Sequence, residues 1–440
     1  MIQVNLSRLW LIGVCAALLV GCGGGASSTS GGGGGGGTGG GGGGSNATTV
    51  TITYVGPALP VAVAAQIGAG SFTAQTLSGN TLTLSIPSGT SNYAVADLCP
   101  AQVTGQASSQ AEYLWKASIV DGTSFNFQCP PELSLTPSLT VSLDATAFQG
   151  VQTFWVNSQN GNSIGGGGAF GGPTANFVAP APVGSDRILV LAYIDQSQGA
   201  VAAKNFDNQT VPGALNGGNT VVFGAADKTT PEAITYNNVP SGFSSPSASV
   251  ELDMGGGGIA EPLASLGGAT TQYAMLPASA TEKGDFYSLS ASAPAAQTSS
   301  AVGAGITTSG GPVTFTFPAP WSRTIPTPAA LPSFTMDYTG FSGASNVTQN
   351  ALLRWTSGSG TSSTASYQIF MNATANYQGK STTLAFPDLS SVAGFLAAPV
   401  TGTQVEWSAW IMQQSYGIAT QPPLNGTWTD VLNTGLYTVP

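Results

Sequence analysis

Side chains able to do chemistry are sparse in this chain, and their types narrow the possibilities at once. There is no histidine, which removes the commonest general base, the commonest metal ligand and every Ser-His-Asp arrangement. One GxSxG match occurs, Gly161-Asn162-Ser163-Ile164-Gly165. It lies in a glycine-rich stretch with no helix pattern after it and no histidine to serve it, so it reads as coincidence. None of the five lysines stands three residues after a serine, so no SxxK motif exists. Carboxylate pairs remain open, because a glycosidase needs two acids about 5–10 Å apart. The candidates are Glu112, Glu251, Asp253, Glu261, Asp285 and Glu406, and an acid on a strand face is ordinarily just solvated. Asp195-Gln-Ser-Gln-Gly lacks the further acids that a calcium loop uses to surround its ion. No metal and no cofactor is expected.

Aromatics offer the better case for binding. Trp407 and Trp410 are three apart, which on a strand puts them on opposite faces. If Trp407 joins Ala409 and Ile411 in a core, Trp410 points outward, where its ring is a stacking surface for a sugar. The alternative is that a neighbouring domain or the PPLNGTW segment covers it. Trp115 and Trp355 sit in alternating runs and read as core.

Cysteines come next. Four occur, at 15, 22, 99 and 129. Cys15 falls inside an apolar run near the start and Cys22 at its end, leaving Cys99 and Cys129, each directly before proline. In an oxidising compartment such a pair forms a disulfide. Closing a loop of about thirty residues contributes about 3.5 kcal/mol in the chain-entropy model. Two buried free thiols are the alternative.

The first twenty-one residues have the parts of a secretory signal: Arg8, an uncharged core over 9–20, and the small Gly21. That core is too short for a permanent span of about 30 Å. Leu19-Val20-Gly21-Cys22 resembles the lipobox of bacterial lipoproteins, an ordinary signal peptide that happens to hold a cysteine being the alternative. The resemblance implies cleavage before Cys22, a diacylglycerol on its sulfur and an acyl chain on the new amino terminus. Gly23 rather than Asp at the next position implies the outer membrane, facing periplasm or cell surface. From Gly23 to Gly44 there are sixteen glycines in twenty-two positions. Such a stretch buries no apolar area and loses the most backbone entropy on ordering. It reads as a flexible tether, whether selected or a chance low-complexity expansion. Residues 23–47 then hold the folded part about 25–30 Å from the lipid.

Acids outnumber bases 19 to 9, and charged residues are 6% of the chain. No basic cluster exists, so nucleic acid is not an expected partner. Beyond the tether, alternation dominates. TTVTITYV (48–55), TLTLSI (81–86), YAVADL (93–98) and EYLWKASI (112–119) each read as strands. Asp121-Gly122 after the last predicts a hairpin into TSFNF. IPSGTSNYAVA (86–96) and APVGSDRILVLA (181–192), with a partial copy VPSGF (239–243), place proline two before glycine ahead of an alternating strand. The pattern is a tight turn entering a core strand, and it resembles the turn before a late strand in transthyretin-like and Ig-like modules of bacterial surface proteins. The expected fold is all-β, with tandem β-sandwich domains after the tether. Proline and glycine clusters divide the chain into 1–21 (signal), 22–47 (tether), 48–131, 132–229, 230–332 and 333–440. The expected function is a non-catalytic, lipid-anchored cell-envelope protein for adhesion, envelope structure or partner binding. Its partners would be the membrane, through the anchor, and envelope proteins or glycans. A polysaccharide-binding surface lipoprotein using Trp410 is the first alternative, and an envelope glycoside hydrolase the second.

Overall fold

The computed structural model describes residues 47–440 except 56–57, 105–106, 128, 130–137, 160, 170–171, 181–182, 196–198, 255–258, 261–269, 296–299, 321–325, 337–345, 358–364, 380–381 and 416–424. Cys22, the signal and the tether lie outside the described residues. The fold is all-β, a series of sandwiches, and its strands follow the alternation written in the sequence. In Thr48–Tyr54, Val50, Ile52 and Tyr54 are buried while the threonines between them are not. This strand pairs antiparallel with Thr81–Ile86 and parallel with Ser124–Phe127. The three-stranded layer covers a second one built from Ala62–Ile67, Asn92–Leu98 and Ala107–Ser118. Val50, Ile52, Leu82, Leu84 and Ile86 pack there against Val63, Tyr93 and Val95. Trp115 meets Phe125 edge-on, with ring centroids 4.2 Å apart.

The disulfide Cys99–Cys129 is formed, at an S–S distance of 2.02 Å. Cys99 follows the strand Asn92–Leu98 of one layer and Cys129 follows Ser124–Phe127 of the other, so the bridge staples the two layers. Both cysteines are fully buried.

The hairpin expected at Asp121-Gly122 does not form. A tight turn is present, with the Asp121 amide donating to the Ser118 carbonyl at 2.9 Å, but the strands it joins belong to different layers. Ala107–Ser118 pairs with Asn92–Leu98, whereas Ser124–Phe127 pairs with Thr48–Tyr54. The turn is an arch across the sandwich. The Asp121 carboxylate explains why it stays there: it accepts from the Ser118 amide, the Thr374 hydroxyl and the Asn376 amide group at 2.8, 2.6 and 2.5 Å. Two of the Pro-x-Gly turns form, with the Thr90 amide donating to the Pro87 carbonyl and the Phe243 amide to the Pro240 carbonyl; Pro182 of the other copy lies outside the described residues. Gly89 and Gly242 have positive φ, a region glycine enters without steric cost.

In the second sandwich, Gly161–Ala169, Thr153–Ser158, Gly184–Tyr193 and Ala202–Val211 form one sheet. Thr174–Pro180, Ser138–Asp144 and the short Gly213–Ala214 and Val221–Val222 form the other. Leu139, Val141, Leu143, Phe154, Val156, Ile188 and Val190 fill the space between them. The opposite side of Gly184–Tyr193 is buried as well. Leu189, Leu191 and Tyr193 share a core with Val250, Leu252, Leu289 and Phe315 further along the chain.

Thr230–Asn237, Gln272–Met275 and Val313–Thr316 form a three-stranded layer that packs on Ser247–Asp253 and Phe286–Pro294 as a third sandwich, and Ser333–Thr335 pairs with Thr383–Ala385. The other remaining strands join one long sheet. A thirteen-stranded sheet runs from Ser247–Asp253, Phe286–Pro294 and Ser300–Thr308 into Thr427–Thr438, Gln404–Gln414, Val347–Ser357 and Ala365–Thr374. It ends on the inner layer of the first sandwich. Two strands make the joints. Thr427–Thr438 pairs with Ser300–Thr308 on one edge and Gln404–Gln414 on the other. Ala365–Thr374 pairs parallel with Ala107–Ser118. Backbone hydrogen bonds, not linkers, therefore connect these sandwiches.

Candidate functional site

Trp407 and Trp410 fall on opposite faces of Gln404–Gln414, as alternation demands. Trp407 lies in a core with Ala409, Ile411, Phe334 and Trp355. Trp410 is covered, the alternative left open by the sequence, and offers no sugar platform. It is 5% exposed and packs against Phe370, Leu352, Met412, Leu432 and Trp428. A stacking platform needs an open ring face, and this ring has none. Trp428, the last residue of the PPLNGTW segment, is part of that cover, and other strands of the long sheet supply the rest. Trp355 is buried and Trp115 half-buried, both in cores.

The same sheet carries buried acids. Asp430 pairs across the sheet with Met412 and shares the face of Trp410. Burial pushes its carboxyl up to about 8, and its Oδ1 has no hydrogen-bond partner. Glu112 is pushed up to about 7 by burial, against which the Leu396 amide donates to it, and its Oε2 has no partner. Asp97 is likewise pushed up to about 7 by burial, partly offset by the Tyr54 hydroxyl, which donates to it at 2.5 Å.

A polar concavity with converging charged groups lies where the second sandwich meets the third. A cavity of about 270 Å³ is lined by Gln159, Ser185, Asp186, Arg187, Asp207, Asn208 and Glu282. Gly184–Tyr193 places Arg187 on the face of Leu189 and Leu191, turned toward the neighbouring sandwich, where it is 4% exposed. Its guanidinium donates from Nη1 and Nη2 to the two Asp285 oxygens, both at 2.8 Å, and from Nε to Asn205 Oδ1 at 2.7 Å. Glu282 stands 3.0 Å from Nε. Burial opposes the charge on Arg187, but hydrogen bonding to Asp285 and the charges of Asp285, Glu282 and Asp207 outweigh it and raise its pKa. Glu282 is held above its ordinary range, first by hydrogen bonding with the Asp207 carboxyl and then by burial, while Asn205 and Arg187 pull the other way.

Chemically, this arrangement is a clamp with a wet rim. The Arg187–Asp285 fork is bidentate and buried on both sides. Asp207 and Glu282 line the same cavity, and the Asp207 carboxyl helps to hold Glu282 above its ordinary range.

Asp285 is thus tied to Arg187, a residue the sequence had displayed only as part of a strand. A signal for it was present: one cation opening an apolar strand must find a partner if that strand is buried. The other acids do not converge with it. Glu251 and Asp253 share one face of Ser247–Asp253, opposite Val250 and Leu252. Glu406 lies 4.0 Å from Arg354 on a partly exposed surface. Glu261 lies outside the described residues. Asp195 is exposed, and among the described residues no group of three ligand-type side chains is placed to hold a metal ion. Ser163 falls within the strand Gly161–Ala169, not on a strand-to-helix elbow. No protein-family model matches this chain, and no curated protein matches it.

Proposed function

We propose that this chain is a non-catalytic, lipid-anchored component of a bacterial cell envelope. In this reading Cys22 is acylated, the glycine-rich tether spaces the folded part from the outer membrane, and the fused sandwiches present a stiff surface to envelope partners. The observation that carries the reading is Leu19-Val20-Gly21-Cys22 at the end of an uncharged run. Two further features support it. The Cys99–Cys129 bridge fits an oxidising compartment. Backbone pairing between sandwiches gives a body suited to bearing load or holding partners at fixed spacing, since strand ladders resist bending more than linkers do. The polysaccharide reading loses its named platform with the burial of Trp410.

Fractionation of cells expressing the full chain and its Cys22→Ser variant tests the reading. The natural chain is expected in the outer-membrane fraction, extractable only by detergent. The variant is expected in the soluble envelope fraction or uncleaved in the inner membrane. Equal outer-membrane recovery of both proteins contradicts the proposal.

A further inference from the structure

Sheet edges expose unpaired backbone groups, and folded proteins ordinarily blunt them with short strands, charges, prolines or bulges. Nearly every edge here is treated in that way. The long sheet ends on the two-residue strands Thr73–Ala74 and Ile259–Ala260. In the second sandwich, Ala202–Val211 carries Lys204, Asp207 and an irregular register, Gly161–Ala169 is glycine-rich and irregular, and Thr174–Pro180 ends in proline. Gln272–Met275, Val313–Thr316 and Ser124–Phe127 have four residues each.

Thr81–Ile86 is the exception. It is six residues long, without proline or charge, and in regular register with Thr48–Tyr54. The direction of its free groups follows from one bond. The Tyr54 amide donates to the Asn80 carbonyl at 2.8 Å, which makes 54 and 80 a hydrogen-bonded pair. Alternation then turns Leu82, Leu84 and Ile86 toward Thr48–Tyr54, and Thr81, Thr83 and Ser85 away from it. Thr81 is used locally, exchanging bonds of 2.9 and 3.1 Å with Ser78. Among the described residues Thr81–Ile86 pairs with no strand but Thr48–Tyr54, and no turn or loop backbone bond reaches Thr83 or Ser85.

We propose that this edge pairs antiparallel with the same edge of a second copy of the chain, about a two-fold axis through Leu84. That register sets Thr83 against Ser85 of the second copy, and the reverse, forming four backbone hydrogen bonds. Leu82 then lies opposite the other copy's Ile86 and Leu84 opposite its counterpart, so the buried faces continue across the joint. The outer face gains two Thr–Ser pairs, a favourable cross-strand combination. Charge decides for a second copy over a foreign strand. The chain carries a net −10, yet from Leu9 to Ala96 it contains no charged residue. Two copies can meet here without the repulsion that the rest of the surface imposes, and the edge has no charge with which to select a different partner.

The test uses the mature chain carrying Cys22→Ser, so that no lipid drives association. Sedimentation equilibrium is expected to show a reversible dimer, and Thr83→Pro to weaken it. Proline is tolerated at 83 because that amide has no internal bond to lose. Since proline could still disturb the strand, a charge swap gives an independent reading. Chains with Thr83→Lys and Ser85→Lys, or with Thr83→Asp and Ser85→Asp, should each dimerise at least about tenfold more weakly, and mixing the two should restore dimers. A monomer at every attainable concentration overturns the proposal. So does a dimer indifferent to both substitutions, or a charge-swapped mixture that stays monomeric.

Discussion

Asp430, Glu112 and Asp97 are carboxyls held in an apolar sheet with too few donors, and burial raises all three. The consequence for stability has a definite sign. Each group binds its proton more tightly folded than unfolded, so its contribution is fully present below the unfolded value of about 4 and is lost as pH rises. For Asp97 and Glu112 the loss extends to about 7, and for Asp430 to about 8. The protein should melt at a higher temperature at mildly acidic than at mildly alkaline pH. Asp430→Asn is expected to recover about 1–2 kcal/mol above pH 8 and to change little near pH 5; calorimetric melts at both pH values check it. A variant equally destabilised at both would show that Asp430 makes contacts its charge state does not govern. Some of this scale was readable in advance. Cys99 and Cys129 were the cysteines left once the leader was set aside, and the period of a strand dictated that Trp407 and Trp410 part company. The cover on Trp410 was readable in part, since Trp428 ends the PPLNGTW segment named as one way to bury it; Phe370 and Leu432 were not, because they lie on strands whose neighbours no local pattern specifies.

At the scale of the element, the alternating strands were the clearest signal in the sequence, and TTVTITYV, TLTLSI and YAVADL form where alternation places them. Asp121-Gly122 marked a turn correctly and a hairpin wrongly. A dipeptide encodes chain reversal, but which layer receives the next strand depends on what its side chains meet, here Thr374 and Asn376. The tryptophans add a device the sequence did not reveal. Trp428 stands directly opposite Gly305, and Trp407 opposite Gly435, on neighbouring strands. Each indole lies over a residue without a side chain. A Cβ at Gly305 would come within 1.9 Å of the Trp428 ring, and one at Gly435 within 2.8 Å of Trp407. Gly305→Ala must therefore eject the indole or separate the strands, at a cost of about 3 kcal/mol or more. In a Trp428→Ala background the same change should cost much less, and a double-mutant cycle in urea measures the coupling. Additive losses would mean that the glycine is needed for its backbone alone.

Across the whole molecule, proline and glycine clusters suggested a string of sandwiches, and sandwiches are what the chain builds. Their fusion was hidden. Thr427–Thr438 pairs with Ser300–Thr308 over a separation of more than a hundred residues, and Ala365–Thr374 with Ala107–Ser118 over more than two hundred and fifty. Contacts so distant leave no periodicity to read. Arg187 joins the second and third sandwiches by the same logic, through a buried fork to Asp285. These joints make one stiff body out of modules, and the proposed role is to hold that body at a membrane by a single modified residue. Mass analysis of the amino-terminal peptide from the membrane-extracted protein tests this most directly. The account predicts a chain beginning at Cys22 whose peptide is heavier by a diacylglycerol and an amide-linked acyl group. A peptide that begins elsewhere, or an unmodified Cys22, would contradict it.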